Sequence, residues 1–215
     1  MRNNKLVIGM AAYGANEDTL AEALRQAVSI ADRVMVVWGR FIGFDLPSYP
    51  VPDVIHSYCM TDRITLIVSD QVYSQEKHRD LFLNGLHRGD ILWEWDSDMI
   101  LRQDPYEALR FIDSLDNTVG DWDALMIPLL TPDHEPEQET IMIYRYQPGW
   151  RHVTAGALGP GRPVAAPDYR IVRTNPWLQM IHLRDQSEEY RRAQRKYWEG
   201  LHGSQVSEKT DQEGK

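Results

Sequence analysis

The sequence predicts an α/β domain built on an open, mixed, mainly parallel sheet with helices on both faces. Three observations predict it. Strand and amphipathic-helix signals alternate through the first half in the order β-α-β-β-α-β-α. The first strand signal, residues 5–12, is a continuous apolar run, the pattern of a strand covered on both faces. A chain of 215 residues with 42% hydrophobic and 26% charged side chains can bury a two- or three-layer core without staples.

The elements follow in order. After residues 5–12 comes a helix. Thr19 with Glu22 reads as a capping box, and Leu20, Leu24, Ala27, Val28 and Ala31 fall on one helical face. Residues 33–38 read as the second strand. Residues 39–63 carry Gly43, Pro47, Pro50 and Pro52 and read as irregular. Residues 64–68 are a third strand. Ser74 is placed to cap a helix that reaches Arg88 and stops at Gly89. Residues 91–95 are a fourth strand, strongly apolar. Asp104-Pro105 opens a further helix with proline at its first position, and Leu109, Ile112 and Leu115 share its inner face.

The second half is organised differently. Residues 124–130 and 140–146 read as strands around a polar connection that holds Pro132 and Pro136. Residues 147–168 are rich in glycine and proline and read as a long loop. Residues 177–183 are a last strand. Ser187 then caps a helix with Glu188 and Glu189 in its first turn and Arg191, Arg192, Arg195 and Lys196 later, an order that complements the helix dipole. Residues 203–215 hold one aliphatic side chain, Val206, and read as a disordered tail. The expectation is one domain over 1–202 followed by that tail.

Composition narrows the function classes. Cys59 is the single cysteine, so no intrachain disulfide forms and a reducing compartment fits. Residues 6–12 are too short an apolar run to span a bilayer, and polar residues follow at once, so neither a membrane span nor a signal peptide is expected. A cytoplasmic location is the resulting expectation. The formal net charge of -9 disfavours a protein that grips a nucleic-acid backbone with its whole surface, while leaving room for a local basic cleft. The 7 Trp and 10 Tyr suit sugars and bases, but core packing is their commoner use.

Ligands of open α/β sheets sit at the carboxyl ends of the strands. Two Asp-x-Asp pairs occur. Asp121-Trp122-Asp123 precedes its strand and lies at the wrong end. Asp96-Ser97-Asp98 follows the fourth strand and lies at the ligand-binding end. Two carboxylates there can hold a hard divalent cation through oxygen, and such a cation neutralises a diphosphate and stabilises it as a leaving group. The competing reading is a solvated turn.

Residues 91–98, Ile-Leu-Trp-Glu-Trp-Asp-Ser-Asp, resemble the DxD segment of GT-A glycosyltransferases of the family 2 type. Gln75-Glu76-Lys77-His78-Arg79 with Leu86-His87-Arg88-Gly89-Asp90 resembles the basic helix that precedes that segment. Ala12-Tyr13 with Asn16-Glu17 resembles the stretch where the family binds base and ribose. Tyr144-Arg145-Tyr146 and Pro148-Gly149-Trp150-Arg151 resemble its acceptor-side strand pair, and Ile181-His182-Leu183 before an arginine-rich helix resembles its closing segment. The resemblance covers about residues 5–200. It implies a GT-A-like fold and transfer of a sugar from a nucleotide diphosphate sugar to a carbohydrate or other hydroxyl acceptor, with Mn²⁺ or Mg²⁺. Asp98 would bind the metal, Asp96 would contact ribose or metal, and His182 would be a further ligand. Lys77 and Arg79 would meet the diphosphate; two positions apart on a helix, they cannot both point the same way, and Lys77 matches the family pattern slightly better.

The sequence departs from the family twice. The acid expected at the end of the second strand is replaced by Trp38; the nearest acid is Asp45, and Asp70 ends the third strand. Base recognition is then expected to differ, by stacking on Trp38. The acidic motif that often supplies the catalytic base is missing around residues 154–159, which leaves Asp133, Glu135 and His152 as candidates. Glu94 shares a strand face with Leu92 and Asp96, so it needs a partner such as an Arg or a His. Two alternatives stand beside the transferase: a nucleotidyltransferase of similar fold, disfavoured because residues 13–18 are acidic, and a non-catalytic nucleotide-sugar-binding module. A modified base in nucleic acid is a conceivable acceptor that the charge disfavours.

Overall fold

The order of strands across the sheet decides where its ligand-binding edge lies. In the computed structural model the main sheet runs β3-β2-β1-β4-β7-β6-β11-β5, with β10 also paired to β6. Its strands are β1 (Leu6–Ala11), β2 (Arg33–Phe41), β3 (Ile64–Tyr73), β4 (Ile91–Asp96), β5 (Met99–Leu101), β6 (Ala124–Leu130), β7 (Pro136–Arg145), β10 (Ile171–Arg173) and β11 (Met180–His182). β8 (His152–Val153) and β9 (Arg162–Pro163) pair separately and antiparallel. The helices are α1 (Glu17–Ile30), α2 (Asp53–Cys59), α3 (Gln75–Leu83) and α4 (Pro105–Thr118). The structure describes residues 4–14, 16–41, 49–60, 62–73, 75–118, 122–150, 152–153, 162–163, 170–174, 176–183, 192 and 196.

The α/β expectation holds: an open, mixed, mostly parallel sheet with helices on both faces. β1 pairs parallel with β2 and β4, β2 with β3, and β6 with β10 and β11. β7 is antiparallel to both β4 and β6, and β5 is antiparallel to β11. β4 and β6 therefore point the same way, with their carboxyl ends on one edge.

Side-chain alternation splits the core into two layers. Leu6, Ile8, Met10, Trp93 and Trp95 face α1 and α4 and pack with Leu20, Leu24, Ala108 and Ile112. Val7, Met35, Val37 and Leu92 face α3 and pack on Phe82. Phe82 is fully buried, a burial that contributes about 1.5–3 kcal/mol. Gly9 makes that approach possible, since a Cβ there would stand 2.5 Å from the Phe82 ring.

Several local expectations are corrected. Asn16, not Thr19, caps α1: its side-chain oxygen accepts from the backbone N–H of Asp18 at 2.9 Å and of Thr19 at 3.4 Å. Glu22 instead pairs with Arg25 and Gln26 at 2.6 and 2.8 Å. The stretch read as irregular contains α2, which starts after Pro52 and buries Ile55. α3 ends at Leu83 rather than Arg88, because Gly85 turns the backbone left-handed with φ 94°. β7 begins at Pro136, earlier than expected, by continuing its hairpin with β6. The last strand is confined to β11, and Trp177 lies in the turn before it, 71% exposed. Of the stretch 147–168 expected as a long loop, residues 151, 154–161 and 164–168 lie outside the described residues, as do Ser74, Ser187, Glu188, Glu189, Arg191, Arg195 and residues 203–215.

Candidate functional site

Four elements bring the sequence-predicted residues to one edge. Parallel pairing of β1 with β4 sets Ala11 opposite Asp96, and pairing of β1 with β2 sets Ala11 opposite Val37, one residue before Trp38. β11 runs beside β6 and then against β5, which places His182 opposite Met99. The backbone N–H of Leu183 donates to the carbonyl of Asp98 at 2.8 Å. The Asp98 side chain therefore meets the end of β11, over eighty positions away in the chain.

Asp98 is 2% exposed, and among the described residues neither of its carboxylate oxygens accepts a hydrogen bond. His182 Nε2 stands 3.3 Å from Asp98 Oδ2 as an ion pair, and His182 Nδ1 stands 3.3 Å from Glu137 Oε2 on β7. Burial by itself lowers the His182 pKa, but Asp98, then Asp96 and Glu137, outweigh it and raise it to about 9. Among the described residues no group of three His, Cys, Asp or Glu side chains converges as a ready cation site. The Asp98 oxygens, and the His182 nitrogen once it gives up its proton, nevertheless suit a divalent cation that takes its other oxygens from a diphosphate.

Asp96 is held differently. Its Oδ1 accepts from Arg79 Nη2 at 2.5 Å, and its side chain remains 32% exposed. Arg79 Nη1 donates to Glu94 Oε2 at 2.7 Å. Between Lys77 and Arg79 the helix chooses: Arg79 turns into the protein and Lys77 is exposed. Burial disfavours the Arg79 charge, and Asp96 and Glu94 more than restore it.

Glu94 has the partners its burial demands. Besides Arg79 it meets His152 Nε2 at 2.5 Å through Oε1. His152 Nδ1 lies 2.8 Å from Asp80 Oδ1, and its backbone N–H donates to the same oxygen at 2.6 Å. Burial raises the Glu94 pKa, but His152 and Arg79 bring it below the ordinary carboxylate value. Of the three candidate bases, His152 is thus buried with both ring nitrogens against carboxylates. Asp133 and Glu135 are exposed in the turn after β6, on the same edge as Asp96 and Asp98.

Tyr13, Trp38 and Tyr49 form an aromatic cluster beside Ala12, with Tyr13 to Trp38 at 5.2 Å and Tyr13 to Tyr49 at 5.6 Å between ring centroids. Trp38 is 4% exposed, and its indole N–H donates to the Tyr49 carbonyl at 3.2 Å. Its rings pack on protein where a stacking role was expected. Glu17 is exposed in the first turn of α1. Asp70 lies in β3, its side chain outside the described residues. Sequence reasoning missed Asp80 and Glu137, the partners of the two histidines. Asp80 follows Arg79 directly on α3, and Glu137 sits in the part of β7 that was read as a polar connection.

No protein-family model matches the chain, and no curated protein matches it. Among solved structures it is similar to TarS of S. aureus. The likeness to TarS 1-349 in complex with UDP-GlcNAc has 17% identity and a TM-score of 0.48, over 62% of this chain and 37% of that one. TarS 1-349 alone and its complex with UDP each give 17% identity and a TM-score of 0.45, over 62% of this chain and 38% of theirs. The chain thus matches under two fifths of those TarS chains. A likeness of that size carries no residue-by-residue correspondence.

Proposed function

We propose that the chain is a glycosyltransferase of the GT-A type, moving a sugar from a nucleotide diphosphate sugar to an acceptor hydroxyl with a divalent cation, Mn²⁺ or Mg²⁺. One observation carries this reading: the buried Asp98 carboxylate, without a hydrogen bond among the described residues, at the carboxyl end of β4 and opposite His182. Asp98 and His182 are the protein donors that would hold the cation, which when bound offsets the diphosphate charge and stabilises it as a leaving group. Asp96, anchored by Arg79, keeps a partly exposed carboxylate for the ribose. The Tyr13–Trp38–Tyr49 cluster walls the side on which the base would lie. A proton acceptor for the incoming hydroxyl needs a free lone pair, which favours Asp133 or Glu135 over His152. Residues 1–202 are proposed as the functional unit.

The exposure of Asp133 and Glu135 keeps a second reading open, a nucleotide-sugar-binding module without catalysis. Donor hydrolysis separates the two, because transferases slowly pass sugar to water and a binding module does not.

The test is a thermal scan with UDP, GDP, CDP or ADP, each with and without Mn²⁺. The diphosphate and the cation each raise the affinity for the other, so one base should shift the melt only when metal is present. At a hundredfold excess over Kd the stabilisation is about 2.7 kcal/mol, or roughly 5–10 °C at this size. Asp98→Asn should fold and lose the shift. If no diphosphate gives a metal-dependent shift, the reading fails.

A further inference from the structure

Five charged groups form an unbroken chain beneath the edge that holds Asp96. In order they are Asp80, His152, Glu94, Arg79 and Asp96, with successive contacts of 2.8, 2.5, 2.7 and 2.5 Å. Both His152 ring nitrogens face carboxylates. An ionised carboxylate only accepts, so both nitrogens donate and the ring is a cation. The charges therefore alternate in sign from one end to the other. Arg79 sits at the branch, with Nη1 on Glu94 and Nη2 on Asp96. One guanidinium serves two carboxylates, so its hold on Asp96 depends on how well Glu94 is neutralised from its far side.

We propose that His152 is a positioning residue for Asp96, acting through Glu94 and Arg79, so that the β8 segment and the carboxyl end of β4 are fixed as one electrostatic unit. The proposal rests on the reading of Asp96 as part of the donor site. His152 neutralises Glu94, and Arg79 is then free to hold Asp96. Without the His152 charge, Arg79 is drawn toward Glu94 and Asp96 becomes more negative. Without the Glu94 charge, Arg79 turns wholly to Asp96 and makes it less negative.

The signs give the experiment. Mn²⁺ alone, with no nucleotide, is titrated into the full chain and free Mn²⁺ is read by electron paramagnetic resonance. His152→Gln should tighten Mn²⁺ binding and Glu94→Gln should weaken it, each by roughly two- to tenfold. A merely structural role moves both the same way, so two losses, or no change in either, overturn the proposal. If His152→Gln does not fold, Asp80→Asn replaces it: the ring stays, its charge is less supported, and a smaller tightening is expected, with no change again overturning the proposal. A second readout needs no metal. The Arg79 guanidinium resonances in ¹⁵N NMR should shift in His152→Gln, and an unmoved Arg79 signal sinks the proposal. Should the wild type bind no Mn²⁺ without a nucleotide, the Arg79 signal decides the proposal by itself, while the donor-site reading is judged by the diphosphate-dependent melt.

Discussion

At the scale of single residues, burial sets the stakes. Arg79 and Glu94 are both nearly fully buried, and breaking a buried pair by removing one partner typically costs about 3–5 kcal/mol. Arg79→Met should cost about 3 kcal/mol, at the low end because Glu94 keeps His152, and a urea melt measures it. His152 adds a pH dependence. Burial lowers its pKa, but Glu94 and Asp80 raise it above 6.5. Its contribution to stability is therefore complete below about pH 6.5 and is lost as pH rises through the raised value. The melting-temperature difference between wild type and His152→Gln should shrink as pH rises from 6 to 9; a constant difference contradicts the ionic pairing. The need of Glu94 for an Arg or a His was legible, because a strand's period of two puts it inside. Which His was not legible, since Glu94 and His152 are 58 residues apart.

At the scale of elements, caps and close approaches decide. Asn16 holds the first turn of α1, so Asn16→Ala should cost about 1 kcal/mol, a melting shift of roughly 2–4 °C. Thr19, named by the sequence pattern, lies inside the helix because an asparagine with extended backbone stands three residues earlier. Gly9→Ala should cost about 1–3 kcal/mol, since the new methyl meets the rigid Phe82 ring and not the end of a flexible chain. Chemical denaturation tests both. The long apolar strands and the amphipathic α1 and α4 were readable because each repeats its pattern over many residues. β5, β8, β9 and β10, two or three residues each, have no period to read and exist only by pairing.

At the scale of the whole molecule, removing residues 203–215 should leave melting temperature and nucleotide response nearly unchanged, because one aliphatic residue there can bury little. A large loss of either would give the tail a role at the site. Among the described residues no helix is long and apolar enough to cross a membrane. The sequence by itself determined the α/β class and the placing of Asp96 and Asp98 at the carboxyl end of a buried strand. These are properties of hydrophobic period and strand direction, which are local and written along the chain. Only the tertiary structure decided that Asp98 faces His182 and Glu137, that Arg79 rather than Lys77 turns inward, and that His152 joins Asp80 across 72 residues. Those choices belong to charges, whose partners are fixed by which strands pair and which helix packs where, and short-range sequence pattern carries no record of either.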